Sequence, residues 1–152
     1  MLQESINRTK QQHIYEFTSF GGIIIYLLTA IFFLFLGNLG MFYRLLIGIF
    51  LIYLIVITIK IFYFKNRPRK YKYSNFIEKI DASSFPSVHS ARSAFLAAAL
   101  MNYFGNFAVS ITLTILVAVV AYSRIYLKTH DVRDVAAGIA LGLALFFIVS
   151  WH

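Results

Sequence analysis

Residues 41–64, MFYRLLIGIFLIYLIVITIKIFYF, decide what kind of protein this is. A helix needs about 20 mostly apolar residues to cross the hydrocarbon core of a bilayer. This run exceeds that length, with charge only at Arg44 near its start and Lys60 near its end. Arg44 can snorkel to the interface. Lys60 lies close enough to the end to do the same, yet a lysine inside an apolar run is by default a functional-site candidate. Exposing its charge to hydrocarbon costs about 2.5 to 3.5 kcal/mol even on a lenient scale.

The composition agrees with the run. Hydrophobic residues make up 60% of the 152 residues and charged ones 13%, against roughly 45 to 50% apolar and a quarter charged in soluble domains. The length suits one domain, residues 1–152, and the expected fold is all-α, a polytopic membrane helix bundle. With no cysteine there is no disulfide and no thiolate metal site. Fourteen Lys+Arg against six Asp+Glu leave a charge of +8. That excess suits anionic headgroups or a phosphorylated lipid as partner. Nucleic acid is the poorer match, because the basic residues lie between apolar spans instead of on one soluble face.

Working outward from the run, residues 20–36 supply a span on its N-terminal side, closed by the turn signal Gly37-Asn38-Leu39-Gly40. Residues 1–19, with Glu4, Arg8, Lys10, His13 and Glu16, are too polar to cross and read as an interfacial segment or tail. They lack the layout of a signal peptide, so the mature protein is expected to begin here. On the other side, residues 65–84 interleave Arg67, Arg69, Lys70, Tyr71, Lys72, Tyr73, Phe76 and Lys79, an interface-anchor composition. Residues 87–103, rich in alanine, 107–122 and 132–151 complete a set of about five transmembrane helices. In the last of them Gly138 and Gly142 form a small-residue packing pair. Five spans put residues 1–19, 65–84 and 128–133 on one side of the membrane.

Three polar islands therefore share a face. Lys60 and Arg67 are nearly two helical turns apart, which predicts that they project from one side of the second span about 10 Å apart, with Pro68 ending the helix. Pro86 suits a first helical position, which leaves the amides of Ser87, Val88 and His89 unpaired at a helix N-terminus. Such an end binds oxyanions, and the Ser87 hydroxyl is a further donor. In residues 123–134, SRIYLKTHDVRD, a helix starting at His130 puts Asp134 on the same face. There a carboxylate can accept the second imidazole N–H and fix the tautomer, with Arg124 as a fixed cation nearby. Alone, each island also reads as a snorkelling cation, a capped helix or a hydrated loop. Their joint occurrence, in this order and each at the edge of a span, points to chemistry on phosphate.

Together these residues resemble the type-2 phosphatidic acid phosphatases, membrane lipid phosphatases related to the soluble vanadium haloperoxidases. The resemblance rests on Lys60 with Arg67-Pro68, on Pro86-Ser87-Val88-His89, and on Ser123-Arg124 with His130 and Asp134. It implies a multi-pass protein of the cell membrane that hydrolyses a lipid phosphate or diphosphate: a polyprenyl (di)phosphate, phosphatidylglycerophosphate or phosphatidic acid. His130 would be the nucleophile, forming a phosphohistidine, and Asp134 would orient it. His89 would be the general acid and then the general base. Lys60, Arg67 and Arg124, with Ser87 and the amide of Val88, would hold the phosphate oxygens. Neither metal nor other cofactor is expected, since three fixed cations serve in place of a divalent ion. Arg92, three residues beyond His89, and Arg133, beside Asp134, could extend the cationic rim, but a solvated charge is at least as good a reading of each, and both are left out of the site.

Two departures stand out. Val88 occupies a position where the family usually has glycine, and five spans replace the usual six, the first lost or reduced to residues 1–19. So short a chain has little room for an elaborate headgroup pocket and favours a compact substrate such as a polyprenyl (di)phosphate. A non-catalytic lipid-binding scaffold and a phosphotransferase using the same intermediate are the alternatives, and a homo-oligomer is compatible with either. The family's site normally faces away from the cytoplasm, whereas the concentration of Lys and Arg beside the site would, by the positive-inside rule, place it within.

Overall fold

The computed structural model describes residues 21–69 and 74–151, which form six helices and no strand. They are α1 (Ile23–Phe35), α2 (Leu39–Phe62), α3 (Phe76–Ala82), α4 (Val88–Phe104), α5 (Phe107–Tyr126) and α6 (Val132–Ser150). The proposed interfacial segment 1–19 and residues 70–73 of the basic aromatic stretch lie outside the described residues. Helices α2, α5 and α6 are long and apolar enough to cross a membrane by themselves. Helix α1, with 13 residues, is shorter than its expected span. The protein is an all-α integral membrane bundle, as the apolar runs require. The short α3, which exposes Phe76 and Ile77 beside the site, is the element that hydropathy did not announce.

Helix α4 is the centre, packed against α1, α2, α5 and α6. Its inner surface is made of small side chains, among them Ala91, Ala94, Ala97 and Ala99, all buried. Between membrane helices there is little hydrophobic driving force, so close van der Waals approach of backbones has to hold them together. The glycine pair on α6 serves that approach directly. A Cβ at Gly138 would overlap the Ser87 carbonyl oxygen, and one at Gly142 the Ala91 carbonyl oxygen. On the opposite side Gly48 of α2 leaves room for the Phe95 ring, which packs edge-on to Phe146 with centroids 6.2 Å apart. Gly138→Val should destabilise the bundle by about 1 to 3 kcal/mol, as overpacking does in tight cores. The check is a lowered thermal midpoint in detergent; an unchanged midpoint would mean that α4 and α6 can separate without loss.

Several hydroxyls within the spans donate to backbone carbonyls, which suits a lipid environment. Thr112 and Thr114 donate their hydroxyls to the carbonyls of Ala108 and Ser110, at 2.9 and 2.8 Å. The fully buried Tyr26 hydroxyl crosses from α1 to donate to the Leu45 carbonyl of α2, at 3.1 Å.

Several boundaries differ from the sequence expectation. Helix α2 stops at Phe62 and Tyr63 is extended, so Lys60 and Arg67 do not share a helical face. Pro86 precedes α4 instead of opening it, and Ser87 is the N-cap. Helix α5 runs on to Tyr126, taking Ser123 and Arg124 into its last turn. It ends through Lys128, whose left-handed backbone (φ 55°) reverses the chain. His130 then lies just ahead of α6, whose N-cap is Asp131.

Candidate active site

The C-terminal end of α2, the N-terminal ends of α4 and α6 and the C-terminal end of α5 meet at one end of the bundle. Backbone hydrogen bonds tie the connecting segments together there. Ser84 N–H donates to the Lys65 carbonyl at 2.8 Å, Arg69 N–H to that of Lys128 at 2.9 Å, and Ser87 N–H to that of Asp134 at 3.0 Å. The segment after α2 thus acts as a strap across the three islands. Against it opens a cleft of roughly 140 Å³, lined by Tyr53, Lys60, Arg67, Asp81, Val88, His89, Arg92 and His130.

Lys60 reaches the cleft because it belongs to the buried stripe of α2. That stripe runs Met41, Leu45, Gly48, Ile52, Val56, Lys60, at the three-and-four spacing of one helical face. Its side chain therefore points inward with the core, not outward to snorkel. Arg67 arrives from the strap, aimed by Asp81: its Nη2 donates to the Asp81 carbonyl and lies 4.0 Å from the carboxylate.

His130 is 6% exposed. Its Nδ1 is 2.7 Å from the Ser84 carbonyl oxygen. A carbonyl can only accept, so Nδ1 carries the hydrogen and Nε2 is left with its lone pair. The expected partner was Asp134, but its Oδ2 is 3.8 Å from Nδ1, beyond hydrogen-bond reach. Other groups hold that carboxylate. Lys65 Nζ is 2.6 Å from Asp134 Oδ1 and 2.6 Å from Asp131 Oδ2. The Asp131 amide donates to Asp134 Oδ2 at 3.0 Å, completing a capping box with the reciprocal bond from the Asp134 amide. Asp134 thus fixes the start of α6 and, through it, the approach of His130. Burial pulls the Lys65 ammonium toward lower pKa, but its two carboxylate partners outweigh this and raise it.

Burial first, and then the charge of Arg67, push the His130 imidazole down to about pKa 4, although the Ser84 carbonyl and Asp134 pull the other way. The ring is therefore neutral through the physiological range, with the Nε2 lone pair unprotonated. At pH 5.5 an unperturbed histidine would be about nine-tenths protonated; His130 should still be neutral there. Nitrogen NMR of histidine-labelled protein in detergent should show a His130 midpoint well below that pH, and a midpoint near 6.5 would contradict its burial.

The cleft thus brings together Lys60, Arg67, Val88, His89 and His130 of the expected site. Ser87, Arg124 and Asp134 are buried behind its lining. The Ser87 amide is committed to the Asp134 carbonyl, and its hydroxyl accepts from the Ser90 hydroxyl at 2.9 Å. The Arg124 carbonyl accepts from the amides of Thr129 and His130, both at 3.2 Å. Sequence reasoning missed Tyr53 and Asp81, which line the cleft, and Ser84, and it left out Arg92, which also lines it. For Arg92 the signal was there, since a charge within a span demands an explanation. Ser84 acts through its backbone and offered none.

A family model described as the PAP2 superfamily matches residues 41–152. Among solved structures, the fold is similar to the crystal structure of Aquifex aeolicus LpxE, with a TM-score of 0.78, 21% identity, and coverage of 95% of this chain and 87% of that one. It is also similar to a transmembrane PAP2 type phosphatidylglycerolphosphate phosphatase from Bacillus subtilis. There the TM-score is 0.71, the identity 25%, and the coverage 93% of this chain and 75% of that one.

Proposed function

The chain belongs to the PAP2 superfamily, and from that premise we propose that it is a lipid phosphatase hydrolysing a lipid phosphate or diphosphate through a phosphohistidine on His130. One observation carries the reading. A buried imidazole, its Nδ1–H held by the Ser84 carbonyl, leaves Nε2 unprotonated in a cleft also lined by His89, Lys60 and Arg67. In the first step Nε2 attacks phosphorus as the bond to the leaving oxygen breaks, and His89 protonates that oxygen. In the second, His89 takes a proton from water as the water displaces His130 and releases inorganic phosphate. Lys60 and Arg67 hold the equatorial oxygens as charge redistributes, and Arg124 adds positive charge from behind the lining.

The substrate class suits a cleft at the end of a membrane bundle, where a phosphate is reached while its tail stays among lipids. The similar Bacillus subtilis protein is a phosphatidylglycerolphosphate phosphatase, which makes that lipid a member of the panel to test, beside phosphatidic acid and prenyl phosphates and diphosphates. Purified protein in detergent should release phosphate from at least one of them with EDTA present. No release from any would favour the non-catalytic scaffold. Transfer to an added alcohol instead of water would mark a phosphotransferase.

A further inference from the structure

Arg92 is the cation in the cleft for which the proposed chemistry has no use. It lies on α4 one turn, about 4.5 Å, deeper than His89, and is 4% exposed. Its Nη1 donates to the Tyr53 hydroxyl at 2.7 Å, and the guanidinium sits 5.7 Å from the Tyr53 ring centroid. Tyr53 lies on α2 about 10 Å along the axis from Lys60, toward the membrane interior. Among the described residues no carboxylate pairs with Arg92, and its buried Nε has no hydrogen-bond partner. A buried, unpaired guanidinium is costly, and this one lines an open cleft. It is braced by a neutral phenol that orients it without neutralising it. That arrangement awaits an anion.

We infer that Arg92, held by Tyr53, forms a second anion subsite for the non-reacting phosphoryl group of a lipid diphosphate. The inference rests on the phosphatase reading above. The geometry sets the order of groups. With the terminal phosphorus at His130, the bridging oxygen lies toward His89, and the next phosphoryl group falls one turn deeper, at Arg92, on the side from which a lipid tail enters. As the Nε2–P bond forms and the bridging P–O bond breaks, the lipid monophosphate leaves with the electron pair, and Arg92 meets the charge that develops on it. A monophosphate ester puts an uncharged carbon there, so Arg92 discriminates between the two.

The test uses farnesyl diphosphate and farnesyl monophosphate, together with the farnesyl methylenebisphosphonate and monophosphonate, which resist hydrolysis. Wild type should favour the diphosphate in kcat/KM by tenfold or more and bind the bisphosphonate at least tenfold more tightly than the monophosphonate. Arg92→Gln should reduce diphosphate turnover and bisphosphonate binding by about 10- to 100-fold while changing the monophosphate and monophosphonate less than threefold. Arg92→Lys should recover part of the loss, and Tyr53→Phe should lie between wild type and Arg92→Gln. Equal loss for both lipids, or no loss for either, would overturn the subsite and leave Arg92 a structural brace. If Arg92→Gln fails to fold, Arg92→Lys and Tyr53→Phe carry the same comparison. A wild type that hydrolyses neither lipid yet prefers the bisphosphonate would overturn the phosphatase reading and keep the subsite; a wild type without that preference would remove the subsite.

Discussion

His130→Ala should abolish phosphate release, with a loss of about a thousandfold or more, since the proposed nucleophile has no substitute once removed. The other imidazole lining the cleft, His89, belongs to a different helix, and its expected part is proton transfer. Alanine also leaves the buried Ser84 carbonyl without its donor, which costs about 1 to 3 kcal/mol, so lost activity could reflect lost structure. His130→Asn separates the two, because its side-chain amide can donate to the Ser84 carbonyl while lacking a nucleophilic nitrogen. It should keep the wild-type thermal midpoint and bind a non-hydrolysable lipid phosphonate, yet fail to turn over. Substantial turnover in either variant would remove His130 from the role of nucleophile.

His89→Asn has the next largest effect, and its signature is the identity of the leaving group. General acid and base catalysis contributes about 10²- to 10⁴-fold, so steady-state hydrolysis of an alkyl lipid phosphate should fall within that range. A nitrophenyl phosphate needs no protonation as it departs, so phosphorylation of His130 should survive while the water step stalls. The variant should then show a burst of about one nitrophenolate per protein and accumulate a phosphoprotein that is labile to acid and stable to base. Equal loss on both substrates without a burst would deny His89 a role in proton transfer.

The fold was largely legible, because a chain this apolar has few ways to satisfy its backbone in lipid. The run at residues 41–64, the turn at Gly37 to Gly40 and the small residues of residues 87–103 each fix a helix by composition or spacing. Gly138 and Gly142 announced a close helix pair and form one against α4. Less legible were helix ends. Seven residues between Lys60 and Arg67 look like two helical turns, but the strap must leave α2 at Tyr63 to bond with Ser84. Tertiary hydrogen bonds override local periodicity at such a junction. Arg92 looked like a rim charge because its depth in the bundle depends on how α2 and α4 pack.

The side-chain inventory of the site was thus set by the sequence alone: two histidines, an acid and a set of cations, at the edges of spans whose number parity brings them to one face. Side-chain chemistry and hydrophobic length are written residue by residue, so both can be read without coordinates. Which nitrogen of His130 is free was decided only by the tertiary structure. That choice depends on the Ser84 carbonyl 2.7 Å away, and on Lys65 drawing the Asp134 carboxylate into the cap of α6. A backbone carbonyl is common to every residue and carries no mark in a sequence, so its meeting with a particular imidazole exists only once the chain has folded.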